Sequence, residues 1–553
     1  MTYAESFTVE LKQEVNADFK KEVIAFANTD GGEIYVGVAK DGSVTGVPKA
    51  EQVMEQIGNM IRDGIKPDLS GYTAIEAVPE GEKTVVKVTV LRGAKRPYHL
   101  TEKGLKPTGV FIRHGVPPPR ARDLRGGEGR VPRRNSDRQH QEREIILRGA
   151  ILLPERSRIG ENAEGGDGKM HATEKILAAH AGRASVAAGE IVNCTVDVAG
   201  INDLYLQTVR SFFEIGGVTV HSPQNVVMFL DHYAPASSIQ QADNQKQFRE
   251  FCDAQNIANL MDVNEGVCHQ ICVDKGFSRP GRLMVITDSH TTTHGALGAF
   301  GTGVGATDMA AILISGQLWF RVPEVIKIVL DGAPRKGVFA KDAILHVIGA
   351  LGADYGVYKV IEFCGEAVAD MPLSERLTLC NMTTEIGAKT AWIQPDEITF
   401  AHMERLGVGD YVVYETDPDY RYAAEHRFDL GALESQIAEP DSVDNVHPIS
   451  HGAGTKIQQA FLGTCTGGRF EDLEIAARIV KGRKVPRGTR FVVVPASRKT
   501  LLEAVKSGVM ETLVEAGATF VTPGCAACLG THEGMLAAGE NCISSSSRNF
   551  PGR

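Results

Sequence analysis

Apolar positions recur at helical spacing over Asp18 to Asn28 and again over Ala50 to Ile65, each followed by a change of period. Between them the run EIYVGVAK reads as a strand, and Asp41-Gly42 is a hairpin signal leading into SVTGV. Glu82 to Leu91 and Gly109 to Arg113 are strand-like, so residues 1 to about 118 predict a compact α/β unit. From Lys169 onward apolar strands alternate with helical stretches to the end. Arg282–Thr287, Val325–Leu330 and Phe491–Pro495 are strands, and Lys499–Ser507 is one of the helices. Strands separated by helices predict parallel sheets covered on both faces. The two patterned regions are joined by residues 119–168, which have little periodicity. Arg120 to Arg158 contains eleven arginines and no lysine, the composition of a flexible linker or of a segment translated in a shifted frame.

A chain of 553 residues exceeds one ordinary core. Its net charge of -10 argues against general polyanion binding. The N-terminus has no basic stretch followed by an apolar run, and no apolar run approaches the roughly 18 residues of a membrane span, so the cytoplasm is expected. All ten cysteines lie between Cys194 and Cys542, too sparse for a disulfide scaffold, so reduced thiols or metal ligands are expected.

Three constellations carry candidate chemistry. Cys465 lies in LGTCTGGR, and Cys525 and Cys528 in TPGCAACLG, each at a strand end and wrapped in small residues. Three thiolates could hold three irons of a four-iron cluster and leave the fourth open to a substrate oxygen. Structural zinc, a redox pair and plain core cysteines are the alternatives. Next, Asp288-Ser289-His290 directly follows an apolar strand, where open α/β sheets bind ligands. Asp231-His232 follows the apolar run Val226–Leu230, and His269 lies close by in the chain. A carboxylate beside each imidazole would fix its tautomer and raise its basicity. The glycines at 301, 303 and 305 suit close backbone packing better than a phosphate loop. Finally, Arg548 and Arg553 frame a C-terminal turn and could clamp carboxylates, or form a solvated basic tail.

Taken together, residues 169–553 resemble the large subunit of the aconitase superfamily, of the 3-isopropylmalate dehydratase, homoaconitase and 2,3-dimethylmalate dehydratase kind. The Asp-Ser-His-Thr segment, the cysteine segments 60 residues apart and Arg-Asn-Phe-x-Gly-Arg occur in order. The resemblance implies a multi-domain α/β/α fold and a [4Fe-4S] cluster on Cys465, Cys525 and Cys528. It implies that His232 with Asp231, His290 with Asp288, and His269 surround the substrate hydroxyl, and that Glu385 stands beside the cluster. Arg548 and Arg553 would bind substrate carboxylates, Ser289 would contact substrate, and Gln207 is a looser match to a substrate-binding glutamine. The implied reaction is dehydration and rehydration of a hydroxy di- or tricarboxylic acid, such as 3-isopropylmalate in leucine biosynthesis. Three departures accompany it. The family's base is a serine on a swivelling domain, usually a separate small subunit, and nothing here resembles that domain. The family normally continues past the final arginine, so a C-terminal truncation is expected. Ser547 stands where many relatives carry asparagine.

Residues 1–118 resemble the AlbA-type domain of Schlafen-like proteins through Glu10-Leu11-Lys12, Phe26 to Gly32, Gly37-Val38 and Gly109 to Arg113. That family implies nucleic-acid or nucleotide binding. The segment carries 15 Lys/Arg against 16 Asp/Glu, so its charge does not itself attract nucleic acid. A nucleic-acid-binding regulator with an inert dehydratase part is therefore the competing expectation.

Overall fold

The computed structural model describes residues 9–16, 19–28, 31–66, 69, 73–81, 83–91, 98–101 and 168–549. The predicted strand at 109–113, the arginine-rich segment and Arg553 lie outside the described residues. The chain divides into two units, Met1–Ser157 and Arg158–Arg553.

In the first unit a mixed four-stranded sheet has the order Val9–Lys12, Gly32–Val36, Lys83–Val90, Thr73–Glu80. The outer strand Val9–Lys12 runs parallel to Gly32–Val36, and the other pairs are antiparallel. Helices Phe19–Asn28 and Ala50–Gly64 cover it, and Phe19, Phe26, Ile34, Ile57 and Val88 fill the core. The hairpin signal at Asp41-Gly42 is a tight turn, with Ser43 N–H and Oγ on the Asp41 carboxylate and Val38 bridged to Val44.

The second unit is built on three all-parallel sheets. The first runs Asn259–Met261, Val226–Phe229, Val198–Asn202, Leu283–Ile286, Phe300–Gly303. The second is Thr390–Trp392, Val360–Cys364, Val325–Asp331, Ala424–Asp429, and the third Ala518–Phe520, Arg490–Val494, Gln459–Gly463, Cys542–Ser544. Strands buried on both faces need unbroken apolar runs, which explains VVMF and LMVI. Their side chains alternate between two cores. Ile201, Met228 and Val285 join one, while Val198, Phe229, Met284 and Ile286 join a second that also contains Cys465 and touches Cys525. The first sheet therefore turns one face toward the cysteines.

The glycines after the Asp288 strand serve packing. A Cβ on Gly303 would meet the Asp288 carbonyl at 2.5 Å, and one on Gly301 the Thr291 carbonyl at 2.3 Å. An antiparallel pair, Gln436–Ala438 with Val446–Pro448, is followed by a short turn at Ile449–Gly452.

Candidate functional site

The first sheet ends its central strands at the site. Val226–Phe229 leads through Leu230 into Asp231-His232, Val198–Asn202 into Asp203, and Leu283–Ile286 through Thr287 into Asp288. His269 stands on the first turn of the helix Cys268–Asp274.

These side chains form one buried network. His232 Nδ1 lies 2.8 Å from Asp231 Oδ1, and its other nitrogen 3.3 Å from Asp288 Oδ2. The His232 and Tyr233 N–H groups donate to the two oxygens of Asp203, at 2.8 and 3.1 Å. His269 Nε2 sits 2.8 Å from Asp288 Oδ1, which also accepts the His290 N–H at 2.8 Å. The expected ring pairing of His290 with Asp288 is the longer contact, 3.6 Å; its Nε2 is 3.2 Å from Glu385. Asp288 is thus the centre of three imidazoles rather than the private partner of its neighbour.

Electrostatics follow from the geometry. Burial alone would lower the pKa of His232, but the charges and hydrogen bonds of Asp231 and Asp288 outweigh it and hold the imidazolium well above its usual range. For His290 burial is likewise outweighed, by Asp288 and Glu385, and its pKa is pushed up to about 9. Asp288 is held well below the carboxylate range: burial opposes its charge, and His269, His232 and His290 overcome it. His294, which packs with its ring centroid 5.6 Å from that of His269, is the opposite case: burial, then the His269 charge, drives its pKa well down.

The thiols come from the third sheet. Cys465 follows the strand Gln459–Gly463 by one residue, and Thr464 before it takes φ +64°. Asn381 donates to the Cys465 sulfur at 3.3 Å and to Thr293 Oγ1 at 2.7 Å. The Cys525 N–H donates to the Asp231 carbonyl at 2.8 Å, while the Asp231 carboxylate accepts the Cys268 N–H at 2.8 Å. A Cβ on Gly524 would lie 2.7 Å from that same carbonyl, so glycine is what lets the cysteine loop reach the imidazole network. Burial and the nearby Cys528 push the Cys465 thiol up to about 12. The Cys525 thiol is raised well above the usual thiol range, first by its hydrogen bond with Cys528 and then by burial.

These donors suit a soft metal group. Buried thiols that raise one another ionise only against a cation. Beside Cys465, Thr464 Oγ1 and Asn381 Oδ1 are buried without a hydrogen-bond partner, as is His269 Nδ1 in the imidazole network. Donor sets spaced for one ion, all within 4.8 Å of one another, are Cys268–His269–Asp288 and Asp203–Asp231–His232 in this region; the three thiols do not form such a set among the described residues.

Arg548 reaches the site from the C-terminal segment: its Nε lies 3.0 Å from Glu385 Oε1, and Nη2 donates to Ser289 Oγ at 3.0 Å. Together with Lys341 and Ser544–Asn549 it borders a cavity of about 1050 Å³. Gln207 is exposed on the helix Leu206–Glu214 and bonds Ser211 at 3.3 Å; no hydrogen bond among the described residues joins it to the network. The sequence reading did not single out Asn381, His294 or Arg469 as site residues. Arg469, buried at 4% exposure, donates to Gln270, Ser374 and Thr378 and lies within electrostatic reach of Cys465. Only long-range packing reveals the contacts of Asn381 and His294.

Parallel sheets whose strand ends bring thiols, imidazoles and carboxylates together, with Arg548 reaching in from the C-terminal segment, are the setting of a hydro-lyase. The chain belongs to the aconitase family: the family model "Aconitase family (aconitate hydratase)" matches residues 174–455 and 450–553. The chain is 47% identical over 381 residues to the 3-isopropylmalate dehydratase large subunit 1 of Methanopyrus kandleri, covering 69% of this chain and 91% of that protein. It is 45% identical over 390 residues to a probable methanogen homoaconitase large subunit of Methanothermobacter thermautotrophicus, covering 70% and 91%. Residues 5–116 match the "Schlafen, AlbA_2" model, so an AlbA-type domain precedes the aconitase part. A solution structure of the N-terminal domain of a putative ATP-dependent DNA helicase RecG-related protein from Nitrosomonas europaea matches 23% of this chain and 92% of its own. It does so at 22% identity and a TM-score of 0.17, a likeness that carries no weight. No helix among the described residues is long and apolar enough to cross a membrane.

Proposed function

We propose that residues 169–553 form the large-subunit half of a hydro-lyase that dehydrates and rehydrates a hydroxy di- or tricarboxylic acid, with 3-isopropylmalate as the preferred substrate. Homoaconitate and 2,3-dimethylmalate are the competing substrates. The observation that carries this reading is the meeting of Cys525 with the Asp231–His232–Asp288–His269 network through the Asp231 carbonyl, with Cys465 packed in the apolar core beneath the same strands. Cys465, Cys525 and Cys528 would hold a [4Fe-4S] cluster, which when bound supplies a Lewis-acidic corner for the substrate hydroxyl and carboxylate.

The chain's own groups then have distinct tasks. Arg548 presents a guanidinium braced by Glu385 and Ser289, suited to paired hydrogen bonds with a carboxylate. His290 and His232 are imidazolium at neutral pH, so either can give a proton to a departing hydroxyl. Asp288 holds both rings and His269 in place and offsets their charge. Arg553 is proposed as a second carboxylate contact and Gln207 as a more distant one. The base that removes the carbon-bound proton is assigned to a separate small subunit bearing a serine, so this chain by itself is inactive. Residues 1–118 form an accessory domain joined through 119–168.

The test is anaerobic reconstitution with iron and sulfide, followed by assay with a small subunit and each candidate acid. A brown protein with broad visible absorbance and turnover of 3-isopropylmalate is expected. A colourless protein that retains only zinc, or a Cys465→Ser variant with undiminished iron, would overturn the assignment. Salt-dependent retention of RNA or DNA by the full chain, with no turnover in any such mixture, would favour the regulator instead.

A further inference from the structure

A second group of metal-type donors lies apart from the thiols, on the antiparallel pair Gln436–Ala438 and Val446–Pro448 and the turn that follows it. Glu439 leaves the first strand, His447 is in the second, and His451 is in the turn Ile449–Gly452. One donor atom from each of the three lies within 4.8 Å of the other two. His451 Nδ1 is 3.3 Å from Glu439 Oε1, and the two imidazole rings face one another with centroids 4.3 Å apart, inclined at 44°.

From this geometry we infer that Glu439, His447 and His451 form a surface site for a divalent transition-metal cation of the imidazole-preferring class, such as Zn²⁺ or Ni²⁺. Two imidazoles and one carboxylate suit these ions and not Mg²⁺ or Ca²⁺, which take oxygen donors. The outer contacts also suit ligation. His447 Nε2 lies 3.1 Å from Asn445 Oδ1, which fixes the tautomer and ring angle and leaves the other nitrogen for a metal. The Glu439 backbone is held as well, its carbonyl accepting from Asn549 Nδ2 at 2.9 Å and its N–H donating to the Asn445 carbonyl at 2.9 Å.

The position gives the site a consequence. Glu439 and Asn549 both line the cavity that Arg548 borders, and Asn549 also donates to the Ser442 carbonyl at 3.1 Å. A cation bridging the strand end, the opposite strand and the turn pins the segment on which Asn549 hangs. Metal occupancy here thus steadies Arg548 at the cavity rim, one residue away. The site belongs to residues that no proposed catalytic step uses, so it stands or falls independently of the cluster.

The test uses full-length, tag-free chain with its thiol site already loaded with iron and sulfide. Ni²⁺ is titrated calorimetrically into the wild type, into a His447→Ala/His451→Ala double variant and into Glu439→Gln. One Ni²⁺ site is expected in the wild type, weakened at least about tenfold in the double variant and in Glu439→Gln. Affinity should fall on acidification, because protons compete with the metal for its ligands. Mg²⁺ in excess should not displace the ion. Equal Ni²⁺ affinity in wild type and Glu439→Gln overturns the inference. Glu439→Gln keeps its size and backbone contacts, so it reads out even if the double variant fails to fold.

Discussion

At the scale of single residues, the site depends on carboxylates that each serve several partners. Asp231 accepts from His232 and Cys268 through its side chain and from Cys525 through its carbonyl. An Asp231→Asn change removes a buried charge from beside an imidazolium and is expected to cost about 3 kcal/mol, read from denaturant midpoints. Gly524→Ala addresses the other half of the same junction. Its methyl would meet the Asp231 carbonyl, so the cysteine loop must withdraw, and the iron bound after reconstitution is expected to fall well below wild type while the far-ultraviolet spectrum holds. Unchanged iron content would mean that the loop relaxes without loss. Much at this scale was legible: the cysteines, Asp-Ser-His and Asp231-His232 are local motifs. The pairing of Asp288 with His269 was not, because residues 19 apart meet only once strand and helix have packed. Nor was the bond from Asn381 to Cys465, across 84 residues.

At the scale of elements, apolar runs marked the strands predicted at 82–91, 282–287, 325–330 and 491–495 to within one residue, whereas the run Glu33–Lys40 is strand only as far as Val36. The alternation of strands with helices foretold parallel sheets covered on both faces, but not which sheet each strand would join. Where elements cross closely, glycine sets the approach. A Cβ on Gly295 would lie 2.1 Å from the Ala391 carbonyl, so Gly295→Ala should destabilise the larger unit by about 2 to 3 kcal/mol, measurable by urea unfolding. A second element-level contact is titratable. His180, at the end of the helix Ala172–His180, lies 2.7 Å from Asp197. Burial opposes the His180 charge, yet Asp197 outweighs it and raises the pKa; burial likewise opposes Asp197, and His180 lowers its pKa. The histidine's contribution is full below about pH 6.5 and is lost as pH climbs through its raised value. The aspartate's is present above about pH 4 and is lost on acidification through its lowered value. The stability gap between wild type and His180→Gln should therefore be widest between those limits and shrink above them; a gap that does not change with pH would contradict the ion pair.

At the scale of the whole molecule, two units of unlike ancestry share one chain: residues 5–116 match one family and 174–553 another. Composition announced the join, since every cysteine falls in the later part and the arginine-rich segment stands between. If the units fold separately, calorimetry should show two transitions, and removing iron and sulfide by chelation should lower only the one belonging to the larger unit. A single transition that moves as a whole would show that they are coupled.

The peptide between Asp231 and its neighbour binds strand ends of two different sheets to one point, since its carbonyl is the acceptor for Cys525 and its own side chain orients His232. A slip of one layer past another by an ångström would part sulfur from imidazole while every helix stayed wound. Such a protein should go silent in mild denaturant well before it comes apart, its chemistry acting as a gauge of how squarely the layers are stacked.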